Sequence, residues 1–134
     1  VSWNERRRHW AARYTDLLGD VAEITLPTVR PDGPPVFHLF VIQTEARDEL
    51  LAYLKANKVM AGIHYPLPLH MQPAFGYLDH RKGDFPVTEK LADTIVSLPL
   101  FAELSDDNVV RVAETVRSFF AGQNTPAAAE SMAV

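Results

Sequence analysis

The chain has 134 residues, 47% of them hydrophobic and 22% charged, with a net charge of −4 and a pI near 5.7. That describes one ordinary globular domain with a real core, and the acidic balance argues against a nucleic-acid or anionic-membrane surface. There is no cysteine, so disulfides, thiolate metal sites and a cysteine nucleophile are excluded, a cytoplasmic setting is the expectation, and no apolar run approaches the roughly 20 residues of a membrane span.

Ser2 to Leu18 reads as an amphipathic helix, with Trp3, Trp10, Ala11, Tyr14, Leu17 and Leu18 at helical spacing and Gly19 just past its end. Arg6, Arg7 and Arg8 belong to its solvated face, because no other basic cluster joins them. Val21 to Val29 predicts a strand ending near Pro27, and Arg30 to Pro35 a loop. The apolar run Val36 to Ile42 predicts a central buried strand that contains His38. Thr44 is a natural cap for a helix from Glu45 to Ala56, which Asn57 would close in the left-handed conformation. Val59 to Ile63 reads as a short strand.

The segment Gly62-Ile63-His64-Tyr65-Pro66-Leu67-Pro68-Leu69-His70-Met71-Gln72-Pro73-Ala74-Phe75 combines two histidines, a tyrosine and a glutamine with apolar residues and three prolines. Prolines forbid a regular helix or a central strand and push their predecessors to extended geometry. The result is a stiff extended loop of the kind that carries ligand-contacting side chains. In an extended chain His64 and Tyr65 would point to opposite sides. Gln72 to Tyr77 predicts one helical turn, Leu78 to Phe85 an exposed loop, and Pro86 to Ile95 a helix. Ser97 to Phe101 reads as a short extended segment, an edge strand because of Pro99. Ser105 caps a last helix with Asp106 and Asp107 in its first turn. The small, polar residues from Ala121 onward predict a disordered tail, leaving one domain over residues 1–120 with a leading helix over 1–19. Helices around a small sheet make the fold α+β, an α/β sandwich with helices on one face.

Chemistry is sparse. His64 and His70 lack the spacing of a zinc pair, so no metal site is expected. Asp79, Asp84 and Glu89 read as solvated charges, and His9 and His80 as exposed. No phosphate loop or nucleophile elbow is present. Lys55, Lys58, Lys82 and Lys90 all sit at surface positions, with nothing to lower a pKa for Schiff-base chemistry. The chain therefore lacks a complete catalytic apparatus.

Five segments, taken together and in order, resemble the C-terminal part of the DegT/DnrJ/EryC1/StrS family of pyridoxal-phosphate-dependent sugar aminotransferases. They are Trp3-Asn4-Glu5-Arg6-Arg7 with Ala12-Arg13-Tyr14; His38 to Ile42 with Arg47 to Leu50; Gly62 to Pro73; Phe85 to Ala92; and Ser97 to Phe101. The resemblance implies the small domain of an aspartate-aminotransferase-like (fold type I) enzyme, a mainly antiparallel sheet with helices on one face. It implies pyridoxal phosphate held by a large domain whose Schiff-base lysine has no counterpart here, so the chain on its own is expected to be inactive. It further implies a homodimer, with an amino group passing from glutamate through the cofactor to a nucleotide-linked keto-sugar, for surface polysaccharides or secondary metabolites. His64 and Tyr65 then become the leading substrate-binding candidates, followed by His38, His70 and Gln72. The alternative is a stand-alone non-catalytic ligand-binding or regulatory domain of the same fold.

Overall fold

Helix α1 (Ser2–Leu18) buries Trp10, Ala11, Tyr14 and Leu18, one stripe at helical spacing, against the apolar face of α4 (Asp106–Gln123). The computed structural model describes residues 2–123. Polar contacts pin the two helices at both ends. Arg13 Nε donates to Asp106 at 2.8 Å, and Arg117 donates to the Leu17 carbonyl at 2.9 Å and to the Asp20 carboxylate. The Arg117 hydrogen bonds hold the Asp20 carboxyl below the usual carboxylate range. Trp3 is 63% exposed, so the buried stripe stops at Trp10, about two turns short of it.

Between these helices and the rest lies a two-stranded antiparallel sheet, β1 (Phe40–Gln43) and β2 (Ile95–Leu98), paired Phe40 with Leu98, Val41 with Ser97, Ile42 with Val96 and Gln43 with Ile95. Single bridges extend both edges, Thr25 to Gln43 and Gly62 to Ser97. Side chains alternate across a strand. Phe40, Ile42, Val96 and Leu98 therefore share one face, where they join residues of α1, α4 and α2 (Arg47–Ala56) in a single core. The remaining helix, α3 (Pro86–Thr94), leads directly into β2. The architecture is α+β.

Several sequence expectations change. Val21 to Val29 contributes only the Thr25 bridge, since Pro27 has no N–H to extend a ladder. The strand expected from Val36 starts at Phe40. Phe37 adopts a left-handed conformation (φ 50°), which turns its ring onto Phe40 at 6.1 Å and leaves His38 on an exposed bend rather than in a buried strand. Helix α2 starts at Arg47 after Ala46; Thr44 Oγ1 instead accepts from the Ala46 N–H at 3.3 Å. Asn57 is right-handed, and the left-handed residue after α2 is Lys58 (φ 61°). β2 is flanked on both sides, because Pro99 falls after its last ladder residue and costs no bond. Ser105 caps α4 as expected, accepting from the Asn108 N–H at 3.3 Å. That helix runs through Gln123, so the first three residues of the expected tail are helical, and the rest of it lies outside the described residues. Gly19 is required by close approach: a Cβ there would lie 2.9 Å from the Thr15 carbonyl oxygen.

The Tyr14 hydroxyl donates to the Pro99 carbonyl at 2.9 Å from a fully buried ring that stacks on Phe40 at 5.1 Å, and burial raises its pKa. Tyr14→Phe keeps the ring contact and leaves that carbonyl without its donor. The expected loss is about 1 to 3 kcal/mol with an unchanged m-value, read by urea denaturation.

Candidate functional site

The second face of the sheet is the floor of a cleft. Val41, Gln43 and Ile95 point into it, opposite the core residues that neighbour them in the chain. One wall is α3, through Thr88, Leu91 and Ala92. The other is the proline-rich segment, through His64, Tyr65, Leu67, Pro68, Leu69 and Gln72. The cleft holds about 430 Å³, within the usual range for a small-molecule site.

The proline-rich wall is less extended than its sequence predicts. Two 3₁₀ turns follow one another, Leu69–Met71 and Pro73–Leu78. Proline is compatible with the first position of a helical turn, where its missing N–H is not needed. The Met71 N–H donates to the Pro68 carbonyl at 3.0 Å, and the second turn closes at Asp79 in the left-handed conformation. The helical turn expected from Gln72 to Tyr77 is the second of these.

His64 and Tyr65 border the same cleft, not opposite sides of the chain, and the backbone bends at His64. Their rings meet edge to face at 5.5 Å. Tyr65 is 72% exposed. The His64 ring is held from behind. Its Nδ1 lies 2.9 Å from the hydroxyl of Ser97, a buried β2 residue on the cleft side of the ladder. Gly62 makes this possible: it pairs with Ser97 through the backbone, and a Cβ there would crowd the His64 ring at 3.3 Å.

Gln72 joins His64 and Tyr65 on the cleft. The other two candidates lie elsewhere. His38 is exposed on its bend, outside the cleft lining. His70 is turned away from the cleft and buried, its Nε2 3.0 Å from Glu89 Oε1. Glu89 is not the solvated charge its sequence context predicts. Its side chain is 14% exposed, and it accepts hydrogen bonds from the Gly83 and Phe85 N–H groups as well as from His70. The Gly83 N–H first, and His70 with it, hold the Glu89 carboxyl below the usual range. His80 also has a partner, Asp84 at 3.4 Å. Ser97, Thr88 and Glu89 are the residues that sequence reasoning missed. An i, i+4 pattern from Phe85 to Glu89 at the start of α3 was the one local signal for the last.

The lining carries no charged side chain: its polar groups are two glutamines, a threonine, a histidine and a tyrosine. Such a surface can orient a polar ligand by hydrogen bonds and exclude water from it, but it supplies no carboxylate base and no amine nucleophile. Among the described residues no three His, Asp or Glu side chains gather as a metal cluster, and no helix is long and apolar enough to cross a membrane.

Residues 1–117 match the DegT/DnrJ/EryC1/StrS aminotransferase family, and the chain belongs to it. It is 40% identical to a Geobacillus stearothermophilus protein named pleiotropic regulatory protein, over 88% of this chain and 32% of that one. It is 39% identical to the dTDP-3-amino-3,4,6-trideoxy-alpha-D-glucose transaminase of Streptomyces venezuelae, over 88% of this chain and 31% of the transaminase. Among solved structures it is similar to S. venezuelae DesV in complex with a ketimine intermediate, with a TM-score of 0.85 and 39% identity, covering 88% of this chain and 32% of DesV. The chain thus spans about a third of the length of the relatives it matches, and the neighbouring structures are fold type I aminotransferases. Family members are pyridoxal-phosphate-dependent. The cleft residues do not fit the role of holding that cofactor: no lysine borders the cleft, Lys55, Lys58 and Lys82 are exposed, and exposed Lys90 pairs with Glu45 at 3.5 Å.

Ser97→Ala removes the hydroxyl that fixes the His64 ring. The expected result is a loss of about 1 kcal/mol and replacement of a single His64 tautomer by an averaged ring in imidazole nitrogen NMR spectra. Identical His64 signals in both proteins would mean that Ser97 does not orient the ring.

Proposed function

We propose that this chain is the small-domain portion of a pyridoxal-phosphate-dependent aminotransferase that acts on a nucleotide-linked keto-sugar, with glutamate as the amino donor. The reading rests on one arrangement: His64, Tyr65 and Gln72 converge on an uncharged cleft, with His64 braced by buried Ser97, and no lysine accompanies them. The cofactor and its Schiff-base lysine belong to polypeptide outside this chain, in a homodimer, and the chain alone is inactive. Family membership and the transaminase relative support the reaction class.

Within that assembly the cleft would bind and orient. The His64 ring, with Nδ1 committed to Ser97, leaves Nε2 for a sugar hydroxyl or phosphate oxygen. The Tyr65 hydroxyl and the Gln72 amide offer further donors, while Leu67, Leu69, Leu91 and Ile95 keep water away from the bound face. Sugars made by such an enzyme would serve surface polysaccharides or secondary metabolites.

The test uses the full-length protein. His64→Ala and Tyr65→Phe should each lower kcat/KM for the nucleotide-linked ketone by about 10- to 100-fold, the effect of losing one or two hydrogen bonds to a charged or polar substrate. The visible absorbance of the lysine-bound cofactor and the glutamate half-reaction should stay as they were. Unchanged kcat/KM in both variants, or the absence of a Schiff-base lysine from the complete polypeptide, would overturn the proposal.

A further inference from the structure

His70 and Glu89 join the two walls of the cleft. His70 sits between Leu69 and Gln72 on the first 3₁₀ turn, and Glu89 between Thr88 and Leu91 on α3; all four flanking residues line the cleft, at the same offsets on either side. The joining contact is a 3.0 Å hydrogen bond between side chains only 7% and 14% exposed. We propose that His70 and Glu89 are positioning residues: their hydrogen bond is a clasp that sets the separation of the cleft walls.

The clasp has a second half. Glu89 Oε1 also accepts from the Gly83 N–H at 2.8 Å and the Phe85 N–H at 3.3 Å, so one carboxylate ties the 79–85 loop, the helix start and the 3₁₀ turn together. Gly83 reaches it with φ 101°, a conformation that favours glycine. The Phe85 ring packs against His70 at 4.8 Å and against His80 at 4.9 Å, and His80 in turn faces Asp84. Asp84 accepts from the Arg81 N–H at 3.0 Å, and the Arg81 guanidinium lies in solvent 3.7 Å from Asp79.

These groups fix how the clasp responds to pH. His70 can donate from Nε2 both as the neutral ring with a proton there and as imidazolium, so the response of the bond to pH lies with its acceptor. Glu89 accepts strongly only as carboxylate. Its pKa is depressed in the fold, so the clasp is complete above the ordinary carboxylate range and is lost as pH falls through the lowered value.

The inference depends on the proposed function only in treating the cleft as substrate-facing. Its test needs no substrate, so the two can fail separately. In this 134-residue chain, the methyl resonances of Leu69 and Thr88, one on each wall, are followed by NMR against pH. Both are expected to shift together, below the usual carboxylate range, with the midpoint of the Glu89 carboxyl. Glu89→Gln should abolish that transition while the Asp84 titration persists. His70→Ala should displace both methyl signals at neutral pH, and His70→Gln, which keeps an N–H donor, should restore them. Glu89→Ala should lower exchange protection of the Gly83 and Phe85 amides by about tenfold with α1 and α4 unaffected; if it does not fold, Glu89→Gln carries the test. Methyl signals that ignore the Glu89 transition, or a transition that survives Glu89→Gln, would overturn the clasp.

Discussion

The alternation of eight ladder residues is the constraint on which the rest of this structure depends. Phe40, Ile42, Val96 and Leu98 are anchored in the core, so Val41, Gln43, Ser97 and Ile95 must face the other way. A slip of one residue in either strand would exchange the two sets. The cleft floor is therefore specified by the burial of its neighbours, without any packing of its own. Helix α1 strengthens the register from outside the sheet. Tyr14 and Trp10 bind the carbonyls of Pro99 and Ala102, immediately after β2, so the position of that strand's end is fixed by the helix pair.

That register also determines what His64 can do. Ser97 has two jobs at one position: its backbone exchanges hydrogen bonds with Gly62, and its side chain holds the imidazole two residues further along the same segment. The prolines that follow then shape the remaining wall. Each removes a donor from a segment that has no strand partner beyond Gly62, so the loss costs little. The backbone satisfies itself in short i+3 turns instead, which is how a sequence barred from regular helix still forms two 3₁₀ turns.

The legible parts of this chain were those governed by local rules. Helical periodicity located α1 and α3 within a residue and α4 within three, Ser105 announced the cap of α4, and the ordered motifs gave the family over nearly the whole chain. Three of the five candidate residues, His64, Tyr65 and Gln72, reach the cleft. Failures came where tertiary contacts outweigh local pattern. Apolar Val36 to Leu39 reads as strand, but Phe37 gains more by turning its ring to the core than by continuing the ladder, and His38 is carried into solvent with it. Trp3 has the right spacing for the α1 stripe, but nothing among the described residues reaches far enough to cover it.

Glu89 illustrates the harder limit. A charged residue near a charged, glycine-containing loop is solvated more often than not. Its burial here follows from partners 19 and 6 residues upstream, a histidine on a different turn and a glycine amide, whose convergence no local pattern encodes. The same reasoning separates His70 from His64. Both are imidazoles in one proline-braced segment, six residues apart in a single motif. What distinguishes them is the group each meets: a neutral hydroxyl leaves His64 at the cleft edge with one nitrogen to spare, whereas a carboxylate with three other hydrogen bonds to its oxygens draws His70 inward. Residue type and spacing nominate a histidine for a site, and the charge and burial of its partner decide whether it faces a ligand or holds the wall behind one.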